Sequence, residues 1–139
     1  MMVDLPARDH DEEGDATPPS LAPGKICYLQ LPALDIGRSA RFYETVFGWH
    51  IRRNNDGEVA FDDTVGEVSG TWVTGRPPSA EPGILLYVMV ESVTQTLEKI
   101  TAAGGETVTP FAAQGDGEAF ATFRDPAGNV LGIGPQPEP

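Results

Sequence analysis

One order of elements occurs twice in this sequence, and that repetition limits the possible folds more than any other feature. In the first copy, the apolar stretch ICYLQL at 26–31 precedes a helical pattern capped by Asp35. In the second, ILLYVMV at 84–90 precedes a helical pattern capped by Ser92, and the two caps are 57 positions apart (92 − 35 = 57). Each stretch is rich in strand-forming residues, so both copies begin with a strand and a helix.

The remaining elements follow in the same order in both copies. The number of positions that separates matched residues of the two copies grows slowly along the chain. The matched pairs are the helix-ending Gly48 and Gly105, the hairpin Gly57 and Gly117, and Gly70 and Gly132 of the last strands (105 − 48 = 57, 117 − 57 = 60, 132 − 70 = 62). The offset grows only across loops, where insertions are tolerated. We therefore predict an α+β fold of two βαβββ modules, at 25–75 and 84–134, joined by a linker at 76–83.

Local signals support the individual elements. The first helix presents one apolar face, formed by Ile36, Ser39, Ala40, Phe42, Tyr43, Val46 and Phe47. In the second copy, Ser92 and Gln95 have the spacing of a capping box. Pro110 lies within a predicted strand, which indicates an edge strand because proline cannot donate to a neighbour.

Charge and composition exclude several classes of protein. A formal net charge of −12 argues against nucleic acid and anionic membranes as partners, and no stretch is apolar and long enough to span a bilayer. With no basic, apolar leader, the sequence predicts a cytoplasmic protein. The single Cys27 excludes an internal disulfide and a cysteine zinc cluster, and we expect it to be a buried thiol.

Both ends of the chain have the composition of tails. Residues 1–24 are acidic and proline-rich, and 135–139 are polar and proline-rich. Such segments bury little apolar surface, so we predict disordered tails around one domain at 25–134. We interpret His10, in the first tail, as solvated rather than metal-binding.

Two motifs also resemble a known family. LPALDIGRSARFYETVFGW at 31–49 and FRDPAGNVLGI at 123–133 are similar to signatures of the vicinal oxygen chelate superfamily, which includes glyoxalase I, bleomycin-resistance proteins, fosfomycin-resistance enzymes and extradiol dioxygenases. The resemblance implies paired βαβββ modules whose mixed, curved sheets face a cleft. It also implies homodimers, which in some members exchange modules between chains.

The same resemblance identifies where metal ligands would lie. In metal-dependent members they come from the first and last strands of each module, and the corresponding positions here are Tyr28, Gly70, Leu85 and Gly132. Leucine and glycine side chains offer no ligand atom, and one phenol does not make a divalent site. We therefore expect neither a metal nor another cofactor.

Strand alternation predicts the lining of the cleft. Residues two apart share a face of a strand. The resulting binding set is Tyr28, Gln30, Gly70, Trp72, Leu85, Tyr87, Met89 and Gly132, in which the glycines leave space for a ligand. An apolar cleft with few polar groups is typical of a small-molecule site, although the same aromatic residues could instead fill the core or a dimer interface.

Other polar residues are weaker candidates. We interpret His50 as a surface histidine at a strand start, with general-base catalysis as the alternative. Asp62, Asp63 and Glu67 are interpreted as a solvated acidic loop, with acid–base carboxylates as the alternative. Arg52 and Arg53 are expected on opposite strand faces as exposed arginines, and the Asp125-Pro126 and Gly128-Asn129 pairs as a structural turn.

Three functional hypotheses remain. The first is a metal-free, non-catalytic protein that binds a small, partly aromatic molecule, and the acidic charge would suit a cationic one. The second is a glyoxalase-like lyase or related enzyme, which uses Tyr28 or Tyr87 as acid or base, or a metal on ligands such as His50 and Glu67. The third is a dimeric scaffold with a vestigial cleft.

Overall fold

A computed structural model describes residues 18–114 and 118–136 of the 139-residue chain. Most of the predicted N-terminal tail (residues 1–17, with His10), the predicted turn at 115–117 and the end of the C-terminal tail (137–139) lie outside the described residues.

The first module has the predicted order of a strand, a helix and three strands. These are β1 (Tyr28–Pro32), α1 (Ile36–Phe47), β2 (His50–Arg53), β3 (Val59–Asp62) and β4 (Ser69–Val73). The Asp35 carboxylate accepts from the backbone N–H of Arg38, which satisfies a free donor at the start of α1. Helix α1 ends at Gly48, whose φ of 75° is in the left-handed region that glycine tolerates.

The second module repeats this order. Its elements are β5 (Tyr87–Val90), α2 (Val93–Ala102), β6 (Glu106–Gln114), β7 (Glu118–Arg124) and β8 (Val130–Pro135). The Ser92 hydroxyl accepts from the backbone N–H of Gln95, as the capping signal predicts. Ala103 forms the C-cap of α2, and Gly104 follows it with a φ of 104°.

The two modules form two four-stranded mixed sheets with the same topology. Sheet A has the order β1-β4-β3-β2 and sheet B the order β5-β8-β7-β6. In each sheet, the first and last strands of the module pair in parallel and the other pairs are antiparallel. The predicted α+β fold of two βαβββ modules is confirmed. Strand β6, which contains Pro110, lies at an edge as expected.

One core holds the two modules together. Its buried apolar side chains come from α1, α2 and one face of each sheet. Phe123 of β7 packs against Phe42 and Phe47 of α1, with ring centroids 6.1 Å and 5.8 Å apart. Phe42, Phe61 and Phe123 are at most 1% exposed, and burial of each stabilises the fold by about 1.5–3 kcal/mol.

Two further expectations concern burial and membranes. Cys27 is exposed just before β1, so the prediction of a buried thiol is wrong. The apolar run that contains it extends beyond the strand, whose paired residues begin at Tyr28. Across residues 18–114 and 118–136, no helix combines the length and apolar character needed to cross a membrane.

Candidate functional site

The strand register of sheet A separates a core face from an outer face. Leu31 of β1 pairs with Trp72 of β4, and both belong to the shared core. Tyr28 pairs with Ser69, and Gln30 pairs with Thr71, on the other face. Tyr28 is half-buried and Gln30 is exposed, so these two predicted site residues lie on the outer face together.

Two of the predicted lining residues lie on the opposite side of sheet A. Trp72 is 3% exposed, and its ring centroid is 5.9 Å from that of Tyr43 in α1. Gly70 is on the same face, where a Cβ atom would lie 2.5 Å from the Phe61 ring. The expectation that Gly70 and Trp72 share a face with Tyr28 is therefore wrong.

A one-residue difference between the modules explains this error. In the first module, the turn before the last strand is closed by a bond from the N–H of Asp63 to the carbonyl of Val68. In the second, the equivalent bond joins Asp125 to Asn129, which is one position shorter (68 − 63 = 5, 129 − 125 = 4). Because strand side chains alternate, one extra residue moves every later side chain to the other face.

The structural counterpart of Gly132 is therefore Thr71. Gly132 pairs with Tyr87, and Thr71 pairs with Gln30, the residue 57 positions before Tyr87 (87 − 30 = 57). The offset in the last strands is thus 61 rather than 62 (132 − 71 = 61).

The outer face of sheet A carries two transverse rows of side chains, which are mostly polar. Strand pairing across β1, β4, β3 and β2 places Tyr28, Ser69, Asp62 and His50 in one row and Gln30, Thr71, Ala60 and Arg52 in the next. The hydroxyls of Tyr28 and Thr71 share a hydrogen bond of 2.9 Å. We call these two residues the hydroxyl pair.

A buried ion pair lies on the same face. Arg52 Nε is 2.9 Å from Asp62 Oδ2, and the side chains are 5% and 8% exposed. The hydroxyl of Ser69 donates to Asp62 Oδ1 at 2.6 Å. Arg52 and Asp62 are therefore not the exposed arginine and solvated acid that the sequence predicted, since each neutralises the other's charge.

The outer face of sheet B has an apolar part around Tyr87, Met89 and Phe120, whereas Thr122 and the ion pair of Arg124 with Glu106 make the rest of this face polar. Tyr87 and Met89 of β5 are 50% and 60% exposed, and Phe120 of β7 is 37% exposed. Leu85 precedes β5 and is 37% exposed. Gly132 pairs with Tyr87, and Gly134 pairs with Met89. The structure therefore brings Tyr87, Met89 and Gly132 together, as predicted.

The glycines of β8 do not leave open space, contrary to the expectation for Gly132. A Cβ atom at Gly132 would lie 2.5 Å from the Tyr87 ring, and one at Gly134 would lie 2.8 Å from the Phe120 ring. The two rings thus lie against the strand where side chains would otherwise stand. Their centroids are 5.7 Å apart, and the rings are nearly perpendicular. We call Tyr87 and Phe120 the aromatic platform.

Within one chain, the two predicted halves of the site do not meet. The core faces of both sheets pack on the shared core, so the hydroxyl pair and the aromatic platform both point away from it. Among the described elements, the main contacts between the modules are those of α1 with α2 rather than strand against strand. The described part of a single chain therefore does not bring the two outer faces opposite each other.

The weaker candidates fall into separate places. His50 is exposed on β2, an edge strand, as expected. Glu67 accepts from Ser20 and forms an ion pair with Lys25 at 3.3 Å. Hydrogen bonding from the Ser20 backbone, with a smaller contribution from Lys25, lowers the pKa of Glu67. The Asp63 carboxylate caps its own turn by accepting from the N–H groups of Glu67 and Val68.

The residues at the implied metal positions do not fit a divalent ion. With the register corrected, these positions hold Tyr28, Thr71, Leu85 and Gly132, which include neither an imidazole nor a carboxylate. Within the described parts of the chain, no group of three or more His, Cys, Asp and Glu side chains could hold a metal ion.

A buried polar network joins the modules, and the sequence indicated it only as a turn. Asp125 Oδ2 accepts from the Tyr43 hydroxyl at 2.8 Å and from the Asn129 amide at 2.9 Å. The Asn129 amide also donates to the Pro32 carbonyl and accepts from the Ser79 N–H, at 2.8 Å each. Burial, and then the Asp125 charge and hydrogen bond, raise the pKa of Tyr43 well above its usual value.

Known proteins that are similar to this chain support the same architecture. Residues 25–133 match the family model described as Glyoxalase/Bleomycin resistance protein/Dioxygenase superfamily. The chain is 29% identical, over 82% of its length and 95% of the other's, to a "Glyoxylase-like domain-containing protein" of Didymella fabae. It is 25% identical over 76% of its length to "Putative glyoxylase CFP32" of Mycobacterium bovis, of which it spans only 43%.

A solved structure has the same fold at low identity. The fosfomycin resistance protein FosX of Listeria monocytogenes aligns with a TM-score of 0.68 and 14% identity, over 82% of this chain and 92% of that one. A structure of a FosX mutant contains Mn(II). At this identity, the likeness concerns the fold alone.

Proposed function

Because this chain belongs to the glyoxalase/bleomycin resistance protein/dioxygenase superfamily, and because its outer sheet faces carry aromatic and hydroxyl groups in place of metal ligands, we propose that it binds a small, partly aromatic molecule without a metal ion. The observation that carries this proposal is the aromatic platform. Tyr87 and Phe120 are half-exposed rings held against the glycines of β8. Such rings offer a surface on which a planar ligand can stack.

The proposal includes a homodimer. Met89 and Tyr87 leave an apolar surface on the outer face of sheet B, and no element of the described chain packs over it. A second copy that places its sheet A opposite this surface would enclose a ligand between apolar and polar walls. Small-molecule sites combine these two kinds of wall.

A thermal-shift experiment with indole, tryptamine and 1-indanone tests the proposal. A ligand that binds only the folded state raises stability by about 2.7 kcal/mol at a hundredfold excess over Kd, which corresponds to a rise in Tm on the order of 8 °C. We expect Tyr87→Ala to remove the shift. The control Val65→Ala, at an exposed apolar residue of the β3–β4 loop, should retain it. No shift with any probe would contradict the proposal.

Catalysis is the second candidate function. Relatives from Didymella fabae and Mycobacterium bovis have the names "Glyoxylase-like domain-containing protein" and "Putative glyoxylase CFP32", which favour a glyoxalase-like enzyme. Such an enzyme would use tyrosine acid–base chemistry or a metal ion. Elemental analysis of the untagged protein separates the metal-dependent form from the binder. Stoichiometric zinc, nickel, manganese or iron would contradict a metal-free site.

A further inference from the structure

The polar wall of the proposed site, on sheet A, carries hydroxyl groups, and these groups limit the class of ligand that can bind there. In the hydroxyl pair, Tyr28 and Thr71 lie on neighbouring parallel strands, and each is half-buried. Each hydroxyl has one proton and two acceptor lone pairs. Their mutual bond uses one proton, so the pair retains one further proton and accepting lone pairs for a third polar group.

The hydroxyl pair lies on the same face of sheet A as a buried ion pair. Asp62 stands in the row of Tyr28 and Arg52 in the row of Thr71. Arg52 Nε is 2.9 Å from Asp62 Oδ2, so these two charges compensate each other. Gln30, which pairs with Thr71, contributes a neutral and exposed amide. A neutral polar group can bind to such a surface without an opposite charge, whereas an ion would lose hydration with no counter-charge to replace it.

We propose that Tyr28 and Thr71 form a subsite for a neutral oxygen group, such as a carbonyl or an amide oxygen, on a ligand whose ring stacks on the aromatic platform. This inference rests on the proposed function, since a second copy must bring the hydroxyl pair opposite Tyr87 and Phe120. It assigns different parts of one ligand to the two sheets: sheet A orients the oxygen, and sheet B binds the ring.

The experiment uses a matched pair of probes, 1-indanone and indane, which differ only in a carbonyl in place of a methylene. Binding to the full chain is measured by titration calorimetry. One neutral hydrogen bond should make 1-indanone bind about threefold to tenfold more tightly than indane. The double variant Tyr28→Phe/Thr71→Val, which lacks both hydroxyls, should remove this preference by weakening 1-indanone more than indane. Unchanged near-ultraviolet circular dichroism checks that this variant is folded.

The outcomes separate the two proposals. If 1-indanone keeps its advantage in the double variant, or if the probes bind the wild type equally, the subsite is wrong while the binder stands. If the double variant weakens both probes equally, the two residues act through structure and the subsite is again wrong. If neither probe binds the wild type, both proposals are wrong. Tyr87→Ala should weaken both probes together, since its effect belongs to the platform.

Discussion

At the scale of single residues, Asp125 and Asn129 connect the second module to the first. Asp125 Oδ1 caps its own turn by accepting from the N–H groups of Ala127 and Asn129. Oδ2 accepts from Tyr43, which lies 82 positions earlier in the first module. The Asn129 amide reaches the end of β1 and the linker between modules. The turn that contains Asp125 and Asn129 therefore holds the two modules together, and these residues should matter for folding rather than for ligand binding.

The Tyr43→Phe change tests this link. Loss of one buried hydroxyl should reduce the free energy of unfolding by about 1–2 kcal/mol, because the Asp125 carboxylate loses one of its donors. Urea unfolding at pH 7 measures the change. The affinity for 1-indanone should be unaffected. A loss near zero would show that the bond contributes nothing to docking of the modules.

The raised pKa of Tyr43 predicts how stability depends on pH. The folded state holds the phenol proton more tightly than the unfolded state, whose tyrosine has a pKa of about 10. This contribution is therefore fully present below about pH 10 and is lost as the pH rises above it. Urea unfolding at pH 8 and pH 11 should show a steeper loss in the wild type than in Tyr43→Phe. Equal losses would contradict the prediction.

At the scale of elements, the last strands of the two modules show how one residue changes a surface. Gly70 of β4 and Gly132 of β8 are matched in the sequence repeat. Gly70 nevertheless lies on the core face of sheet A, whereas Gly132 lies on the outer face of sheet B. Gly70 lies under Phe61, which is fully buried, whereas Gly132 lies under Tyr87, which is half-exposed. The longer turn after Asp63 causes this difference. Equivalent motifs therefore contribute to the core in one module and to the surface in the other.

Alanine substitutions at the two glycines should differ accordingly. In Gly70→Ala, the new methyl group meets the Leu29 carbonyl and the Phe61 ring, neither of which can move freely, so we expect a loss of about 1–3 kcal/mol. In Gly132→Ala, the Tyr87 ring can swing into solvent, and the loss should stay below about 1 kcal/mol. Urea unfolding compares the two. Equal costs would mean that the faces are assigned wrongly.

At the scale of the whole molecule, one chain presents two outer faces of different character. Sheet A contributes hydroxyls, an amide and an internal ion pair, while sheet B contributes aromatic rings and Met89. A homodimer that joins unlike faces would cover the apolar surface and assemble the ligand site at the same time. Assembly and binding should therefore be lost together.

Light scattering after size exclusion tests the dimer. The wild type should have a mass of about 29.6 kDa, twice the 14.8 kDa of one chain (2 × 14.8 = 29.6). Met89→Asp places a charge on the apolar face and should give a monomer. The matched change Val65→Asp, at a residue that is also more than half exposed, should leave the mass unchanged. A wild-type monomer would contradict the shared site.

The sequence by itself determined the duplication, the order of elements and both helix caps. These features depend on local chemistry, such as Asp35 and Ser92 accepting from N–H groups three residues later. They also depend on residue periodicity, which needs no knowledge of distant contacts.

Only the tertiary structure decided which strand face is core and which is surface. Alternation groups residues that share a face but does not say which face is buried, so one added residue before β4 reversed the assignment of Trp72. The contacts of Tyr43 with Asp125 and of Arg52 with Asp62 likewise depend on how elements pack. Such contacts leave no periodic trace in the sequence, because their partners are chosen by three-dimensional proximity.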